Sequence, residues 1–179
     1  MVSSKTKSIK MNFSALYSYV INNNYRSFGG IMGVLLSIGA FIIVIVFWGQ
    51  LSISQRVMFI LVGMVFTVIN PISLGFKTFK QLKLSPSYKK PLEYTFGNDG
   101  IKVSQGDTSL DISWDKIIRV MMTKKVIAIY TGRMYAFVIP LSELGEDRAK
   151  IVTAIVQFTA GYGPRLSRNL KEYKSGKGL

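Results

Sequence analysis

Two apolar stretches decide how this chain folds: residues 30–48, GIMGVLLSIGAFIIVIVFW, and residues 57–76, VMFILVGMVFTVINPISLGF. Neither contains a charged residue, and each is close to the ~20 apolar residues with which an α-helix crosses roughly 30 Å of hydrocarbon. Only eight residues, GQLSISQR, separate the two stretches, and a chain of 179 residues cannot bury both in a protein core. The sequence therefore predicts a transmembrane helical hairpin over residues 29–76.

The distribution of Lys and Arg predicts the orientation of this hairpin. Four cations precede the first stretch and five follow the second, whereas the connecting loop holds only Arg56. Because cytoplasmic flanks are enriched in Lys and Arg, we expect a cell-membrane protein with two spans and both termini in the cytoplasm. The flanking cations are Lys5, Lys7, Lys10 and Arg26 before the hairpin, and Lys77, Lys80, Lys83, Lys89 and Lys90 after it.

Small and polar residues in the two spans predict close helix packing. Small residues let a second helix approach, and Asn70 is expected to hydrogen-bond to the first helix and to repair the carbonyl that Pro71 leaves unpaired. Packing within the hairpin and packing in a homo-oligomer both explain these residues. Transport is disfavoured because no span carries a charge. The candidate helix-packing residues are Gly30, Gly33, Ser37, Gly39 and Asn70.

The segments that flank the hairpin differ in character. Residues 1–28 are predicted to be a cytoplasmic segment with a short amphipathic helix on the inner membrane surface. Packing of that helix against the soluble domain is the alternative. Residues 77–91 predict a basic juxtamembrane linker that attracts anionic lipid. Residues 161–179, rich in Gly, Ser and Lys, predict a basic, disordered tail.

From residue 92 the hydrophobic period changes to two, which indicates strands. The strands are followed by an amphipathic helix over roughly residues 146–159. This order predicts an antiparallel sheet or open barrel with a C-terminal helix over residues 92–160, so the fold class of the whole chain is α+β. The predicted strands are residues 92–96, 101–104, 110–114, 117–123, 126–130 and 135–139.

Three motifs after the hairpin resemble the YcxB-like family of bacterial membrane proteins: PLEYTFGNDGI (residues 91–101), ISWDKIIRV (112–120) and AFVIPLSEL (136–144). The resemblance implies a pleckstrin-homology-like fold for the soluble domain, and it implies no catalytic residue. Trp114 is expected to lie in the core or against the helix rather than to bind a ligand. The residues that match the family's pattern are Asn98, Asp99, Gly100, Trp114, Asp115 and Pro140.

The composition argues against an enzyme. The chain has no His and no Cys, which removes the commonest general base, the commonest metal ligands and any disulfide. Its nine carboxylates show no metal-binding or acid–base spacing, and it has no Gly-rich phosphate loop. We therefore expect no cofactor or metal. The net charge of +14 is explained by membrane topology rather than by nucleic-acid binding.

The sequence predicts a non-catalytic, membrane-anchored binding module whose pleckstrin-homology-like domain binds anionic lipid or a protein partner at the inner membrane face. The alternative is a structural protein that oligomerises through its hairpin. Basic residues near the strand turns are the candidate binding surface, although a solvated rim on a basic protein is the favoured explanation for them. These residues are Lys116, Arg119, Lys124, Lys125 and Arg133.

Overall fold

A computed structural model describes residues 5–132, 135–162, 165–167 and 170–171 of the chain. The chain divides into two compact units. A helical unit comprises Val20–Gln81, and a β unit comprises two separate stretches, Met1–Tyr19 and Leu82–Leu179. In sequence, the helical unit is thus an insertion into the β unit.

The helical unit contains both apolar stretches as helices. Helix α1 (Phe13–Tyr25) leads into it, and α2 (Phe28–Val46) follows. The second long helix is built from α3 (Ile53–Met64), a π-helical turn (Val65–Ile69) and α4 (Asn70–Leu84). Two helices, α2 and the continuous helix from α3 to α4, are long and apolar enough to span a membrane, as the sequence predicts.

Serine caps fix where the two long helices begin. The Ser27 hydroxyl accepts a hydrogen bond from the Gly30 amide, and Ser52 forms a reciprocal capping box with Gln55. These bonds satisfy amide groups that a helix start otherwise leaves unpaired. Ser27 thus fixes where α2 begins, and Ser52 fixes where the short connection, residues 47–52, passes into α3.

The β unit is built from two four-stranded sheets. The first has the order β1-β2-β3-β4, with antiparallel neighbours. The second has the order β7-β6-β5-β8, antiparallel except for the parallel pair β5–β8. The strands are β1 (Lys5–Ile9), β2 (Leu92–Phe96), β3 (Gly100–Gln105), β4 (Thr108–Ser113), β5 (Arg119–Met122), β6 (Val126–Tyr130), β7 (Ala136–Pro140) and β8 (Arg165–Leu166). The helices of this unit are α5 (Pro86–Lys89), α6 (Arg148–Ala160) and the 3₁₀ turns Trp114–Lys116, Leu141–Glu143 and Gly145–Asp147.

One apolar core joins the inner faces of both sheets to α6. Trp114 lies in this core at 2% exposure, as expected. Its ring stacks on Phe158 of α6 at a centroid distance of 5.2 Å, and its indole N–H donates to the Gly97 carbonyl at 3.2 Å. The core members include Tyr94, Phe96, Ile101, Val103, Ile112, Val120, Met122, Ile127, Ile129, Ile139, Ile151 and Ile155.

The second sheet is buried on both faces, which the sequence does not predict. Every residue of β6 is buried. On the outer face, Ala128 and Tyr130 lie in a second apolar cluster with Ala15 of α1, and Tyr19 packs against it. The Lys125 ammonium donates to the Ser14 hydroxyl at 2.7 Å. The first turns of α1 therefore cover this sheet. Of the two predicted placements of the N-terminal helix, this is packing against the soluble domain.

Strand β1 is missing from the sequence prediction. Its residues, KTKSI, carry one apolar side chain, Ile9, which is 3% exposed in the core. Because Ile9 is a lone apolar residue, no period-two pattern marks this strand. Pairing with β2, distant in the chain, is what makes the segment extended.

The prediction of a disordered tail is wrong for its described residues. The Arg165 amide donates to the Ile118 carbonyl at 3.1 Å, and the Ser167 amide donates to the Val120 carbonyl at 3.0 Å. Leu170 is fully buried in the core. The polar composition of the tail gives no indication of these contacts. They pair the edge of β5 that would otherwise lack a neighbouring strand.

The turn at residues 97–100 uses its glycine differently from the expectation. Gly100 does not have a positive φ; the positive values belong to Gly106 (59°) and Gly145 (55°). A side chain at Gly100 would overlap the Ile112 carbonyl of the neighbouring strand. Glycine is required there for close strand approach rather than for turn geometry.

Candidate functional site

The outer face of the second sheet carries two arginines and a tyrosine side by side. In the strand register, Arg119 of β5 lies between Arg165 of β8 and Tyr130 of β6. Val120 and Met122 point into the core, so the alternation along β5 places Arg119 on the opposite, outer face. The parallel pairing of β8 places Arg165 on this same face.

Arg119 and Tyr130 form a cation–π pair. The guanidinium carbon of Arg119 lies 3.8 Å from the centroid of the Tyr130 ring. Such pairs contribute roughly 0.5–2 kcal/mol, depending on how dry they are. Tyr19 of α1 lies against the same ring at a centroid distance of 6.4 Å. The stack fixes the direction of the Arg119 side chain.

A cavity of about 260 Å³ opens beside this stack. Tyr130 is 3% exposed, and its buried hydroxyl oxygen has no hydrogen-bond partner among the described residues. Arg165 is exposed at the same cavity and Arg119 is half-buried. The cavity is lined by Ile118, Arg119, Tyr130, Gly132 and Arg165.

Next to this cavity, a neutral Tyr19 lies near permanent cations. Burial, reinforced by the adjacent Tyr130 hydroxyl, raises the pKa of Tyr19 well above its ordinary value, and nearby Arg119 opposes this effect only partly. Arginine stays charged at every physiological pH. The site therefore presents positive charge and hydrogen-bond donors, which suits an anion. Among the described residues no group of three His, Cys, Asp or Glu side chains is placed to hold a metal ion.

The predicted basic surface does not form one patch. Arg119 lines the cavity, and Lys116 is exposed in the 3₁₀ turn that precedes β5. Lys124 and Lys125 lie in the β5–β6 turn, at the other end of the two strands from Arg119. Arg133 lies outside the described residues. The set therefore separates along the length of β5.

Sequence reasoning misses Arg165 and Tyr130 as members of the site. Arg165 falls in the segment predicted to be disordered, and Tyr130 reads as an ordinary strand residue. A signal was present in the tail, since Leu166 and Leu170 are apolar residues four apart in a polar stretch. Both lie against the core, Leu170 fully buried and Leu166 partly.

Within the helical unit, three of the predicted helix-packing residues make contacts inside the chain. A side chain added at Gly33 would overlap the Phe66 ring, and the Ser37 hydroxyl donates to the Val62 carbonyl at 3.4 Å. A side chain at Gly30 would overlap the Asn24 carbonyl, at the corner between α1 and α2. Gly33 and Ser37 therefore pack the two long helices against each other, whereas Gly30 allows the close turn between α1 and α2.

Gly39 differs from the other small residues. Among the described residues, none beyond the neighbouring part of its helix lies within 4 Å of the position that its Cβ would occupy. A side chain there would project into open space. The described part of the chain therefore offers Gly39 no packing contact, and its predicted role in helix packing stays a prediction.

The backbone carbonyl that Pro71 leaves without an amide donor is that of Phe66, and Tyr25 rather than Asn70 donates to it. In the π-turn the Asn70 amide donates to the Val65 carbonyl, five residues back. Pro71 is the next residue, and it has no amide hydrogen to donate to the Phe66 carbonyl. The Tyr25 hydroxyl donates to that Phe66 carbonyl at 2.5 Å.

Asn70 makes a different bond from the expected one. Its side-chain amide donates to the Asn24 side-chain oxygen at 3.0 Å, and Asn24 belongs to α1 rather than to the first long helix. The expectation that Asn70 bonds to the first span and repairs the proline site is wrong. Sequence spacing alone does not show that α1 reaches the π-turn.

Fold and site together define an α+β protein with two spanning-length helices inserted into a two-sheet domain. Residues 96–155 match the family model described as YcxB-like protein. The resemblance predicted from the sequence motifs is thus confirmed over these residues, which run from the end of β2 into α6. Searches of curated proteins and of solved structures gave no significant match.

Proposed function

We propose that this protein is a non-catalytic binding module anchored in the cell membrane by its two long helices, with both termini in the cytoplasm. The β unit then presents its binding surface at the inner membrane face, to anionic lipid or to a protein partner. The proposal needs no cofactor and no nucleic acid.

The pairing of β1 with β2 is the observation that carries this proposal. Five residue pairs join the strands, from Lys5 with Phe96 to Ile9 with Leu92. One strand precedes the helical unit and the other follows it, so the two can pair only on the same side of a membrane. An even number of crossings is therefore required, and two helices of spanning length supply it.

The surface of the helical unit supports a lipid surround. Large apolar side chains are widely exposed on it, among them Leu36 at 64%, Ile45 at 75% and Phe76 at 72%. Exposed apolar patches of this extent are rare on water-soluble monomers. Lys and Arg are more frequent in the segments that flank the two long helices than in the loop that connects these helices, which favours the cytoplasmic placement of the β unit.

The architecture of the β unit supports a pleckstrin-homology-like fold. Two four-stranded sheets share one core, and the last long helix, α6, packs its apolar face into that core. Domains of this general design present binding sites on a rigid framework of strands rather than catalytic machinery.

The assembly alternative is weakened by the contacts of its own residues. Gly30, Gly33 and Ser37 are used within the chain. Only Gly39 is left to support an intermolecular contact through the hairpin. Oligomerisation is therefore a separate question from the anchoring role.

Alkaline carbonate extraction of membranes from expressing cells tests the anchoring role. The full chain is expected to stay in the membrane pellet. A variant in which a flexible glycine–serine linker replaces Val20–Gln81 keeps both stretches of the β unit, and it is expected to be soluble and folded. Release of the full chain by carbonate would refute the proposal. Crosslinking of both proteins in parallel then separates partners of the β unit from partners of the hairpin.

A further inference from the structure

We propose that the cavity between Arg119, Tyr130 and Arg165 is a binding site for a phosphoryl group. The inference deepens the proposed binding role, on which it rests, by naming the chemical class of the ligand. Phosphate monoesters and diesters share this chemistry, whether they belong to a lipid headgroup or to a small soluble molecule.

Two arginines of like charge start from adjacent positions at the cavity. Arg119 and Arg165 are register partners on neighbouring strands, so their side chains start from adjacent positions on one face. Like charges placed directly opposite each other destabilise a strand pair. Among the described residues the salt bridge found in the β unit joins Lys7 to Asp147, and no carboxylate pairs with either arginine. An anion held between the two guanidinium groups removes this repulsion.

The cation–π stack holds one of the two charges in place at the cavity. The guanidinium carbon of Arg119 lies 3.8 Å from the centroid of the Tyr130 ring, and both residues line the cavity. A side chain that is already held in position loses less conformational freedom when it binds an anion.

The number and kind of donors favour a phosphoryl group over a carboxylate. Two guanidinium forks offer more N–H donors than the roughly four lone-pair sites of a carboxylate can accept. A phosphoryl group presents more oxygens and up to two negative charges, and the planar guanidinium matches its geometry in a bidentate manner.

The rim of the cavity is apolar, which suits a phosphorylated molecule with an apolar part. Ile118, which lines the cavity, is 49% exposed. Tyr135, 76% exposed, lies beside the lining residue Gly132. Exposed apolar residues next to bound charge are the arrangement that a lipid headgroup and its glycerol backbone would contact.

Calorimetric titration of the full chain in neutral-detergent micelles tests the proposal. The titrants are inorganic phosphate, glycerol 1-phosphate and, as a carboxylate comparison, acetate. A second arm measures the unfolding temperature of the protein in phosphate-free maltoside micelles with and without added phosphatidylglycerol. The variants are Arg165→Gln and Tyr130→Phe, with Lys124→Gln as the control that removes one charge at the far end of β5.

Wild-type protein is expected to bind glycerol 1-phosphate more tightly than acetate. Loss of one charge-assisted partner in Arg165→Gln should weaken binding about tenfold, whereas Lys124→Gln should bind as wild type does. Tyr130→Phe keeps the stacked ring and removes only a hydroxyl that is inaccessible to solvent, so it should bind as wild type does.

The outcomes separate the source of the ligand and the two proposals. If the free phosphates bind, a small soluble phosphorylated molecule is a sufficient ligand. If only phosphatidylglycerol stabilises the protein, the ligand is a lipid headgroup. No response of wild type to any of these phosphoryl probes overturns the inference, as does equal binding of acetate or equal weakening by Lys124→Gln. Membrane anchoring is measured independently by carbonate extraction, so either proposal can fail while the other stands.

Discussion

The helical unit and the β unit place their apolar residues in opposite ways. In the helical unit Ile45 of α2 is 75% exposed, whereas Ile127 of β6 is completely buried in the β unit. Burial of apolar surface drives folding in water, so a unit that exposes many large apolar side chains is unusual for a protein surrounded by water. This contrast supports the proposed lipid surround of the long helices.

The two units also differ in how far apart in the chain their contacts lie. The hairpin joins helices that follow each other directly, and its principal contacts are between α2 and α3. The β unit combines residues 5–19 with strands that begin only at residue 92. A fragment that starts at residue 91 therefore lacks an edge strand and the cover of the second sheet, and it is an unsuitable surrogate for the domain.

The two tryptophans give the largest contrast between the units. Trp114→Ala removes a buried ring from the core and should destabilise the β unit by about 3–5 kcal/mol. Trp48 is 54% exposed in the helical unit, so Trp48→Ala should leave the β unit unchanged. Urea dependence of amide exchange in β3 and β6 of the full-length protein measures both. Similar effects of the two substitutions would contradict the division into units.

Two glycines of α2 sharpen the contrast within the hairpin. Gly33→Leu forces a side chain into the Phe66 ring and should destabilise the helix pair by about 1–3 kcal/mol. Gly39→Leu projects into open space and should leave it intact. Resistance to unfolding in a dodecyl sulfate titration reports helix pairing. If crosslinking between copies is lost in Gly39→Leu alone, the assembly alternative gains its first support.

Alkaline pH is expected to weaken the β unit. Burial raises the pKa of Tyr94 above its ordinary value, with a smaller contribution from Tyr88. The folded state keeps a proton that the unfolded state releases, so stability is constant below pH ~10 and falls above it, by up to about 1.4 kcal/mol per pH unit for each such group. Tyr94→Phe should flatten this slope in unfolding measurements between about pH 9 and 12. An unchanged slope would remove Tyr94 from the account.

The smallest effect concerns the proline site in the second long helix. Tyr25→Phe leaves the Phe66 carbonyl unpaired and should cost about 1 kcal/mol in the stability of the helical unit. Pro71→Ala restores a backbone donor nearby, so the cost of Tyr25→Phe should shrink in that background. A double-mutant cycle in micelles measures the coupling. Additive effects would mean that the hydroxyl does not serve this carbonyl.

The sequence predicts those features that are encoded in local patterns. The two long helices follow from unbroken apolar runs, and the strands from β2 to β7 follow from alternation and turn residues, with end shifts of a few residues. The motifs around Trp114 and Pro140 lead to the family match over residues 96–155.

What the sequence does not predict depends on pairing between distant segments. β1 has one apolar side chain, β8 has two residues, and neither carries a period of its own. The cavity is therefore hidden from sequence reasoning, since it needs β8 beside β5. Of the four predicted surface residues that the structure describes, only Arg119 lines it. Tyr19, which packs against the Tyr130 ring, and Tyr25, which donates to the Phe66 carbonyl, both belong to α1, whose side chains are directed by tertiary packing.

In the proposed topology, the helical unit crosses the membrane twice and returns the chain to the side on which β1 pairs with β2. The natural absence of cysteine makes single-cysteine labelling clean. Three exposed positions suffice: Lys10→Cys after β1, Gln50→Cys between the long helices, and Lys102→Cys in β3. In intact cells a membrane-impermeant maleimide should label only Gln50→Cys, and the other two should react after permeabilisation. Labelling of Lys10→Cys and Lys102→Cys from opposite sides, or equal labelling of all three in intact cells, would contradict the account.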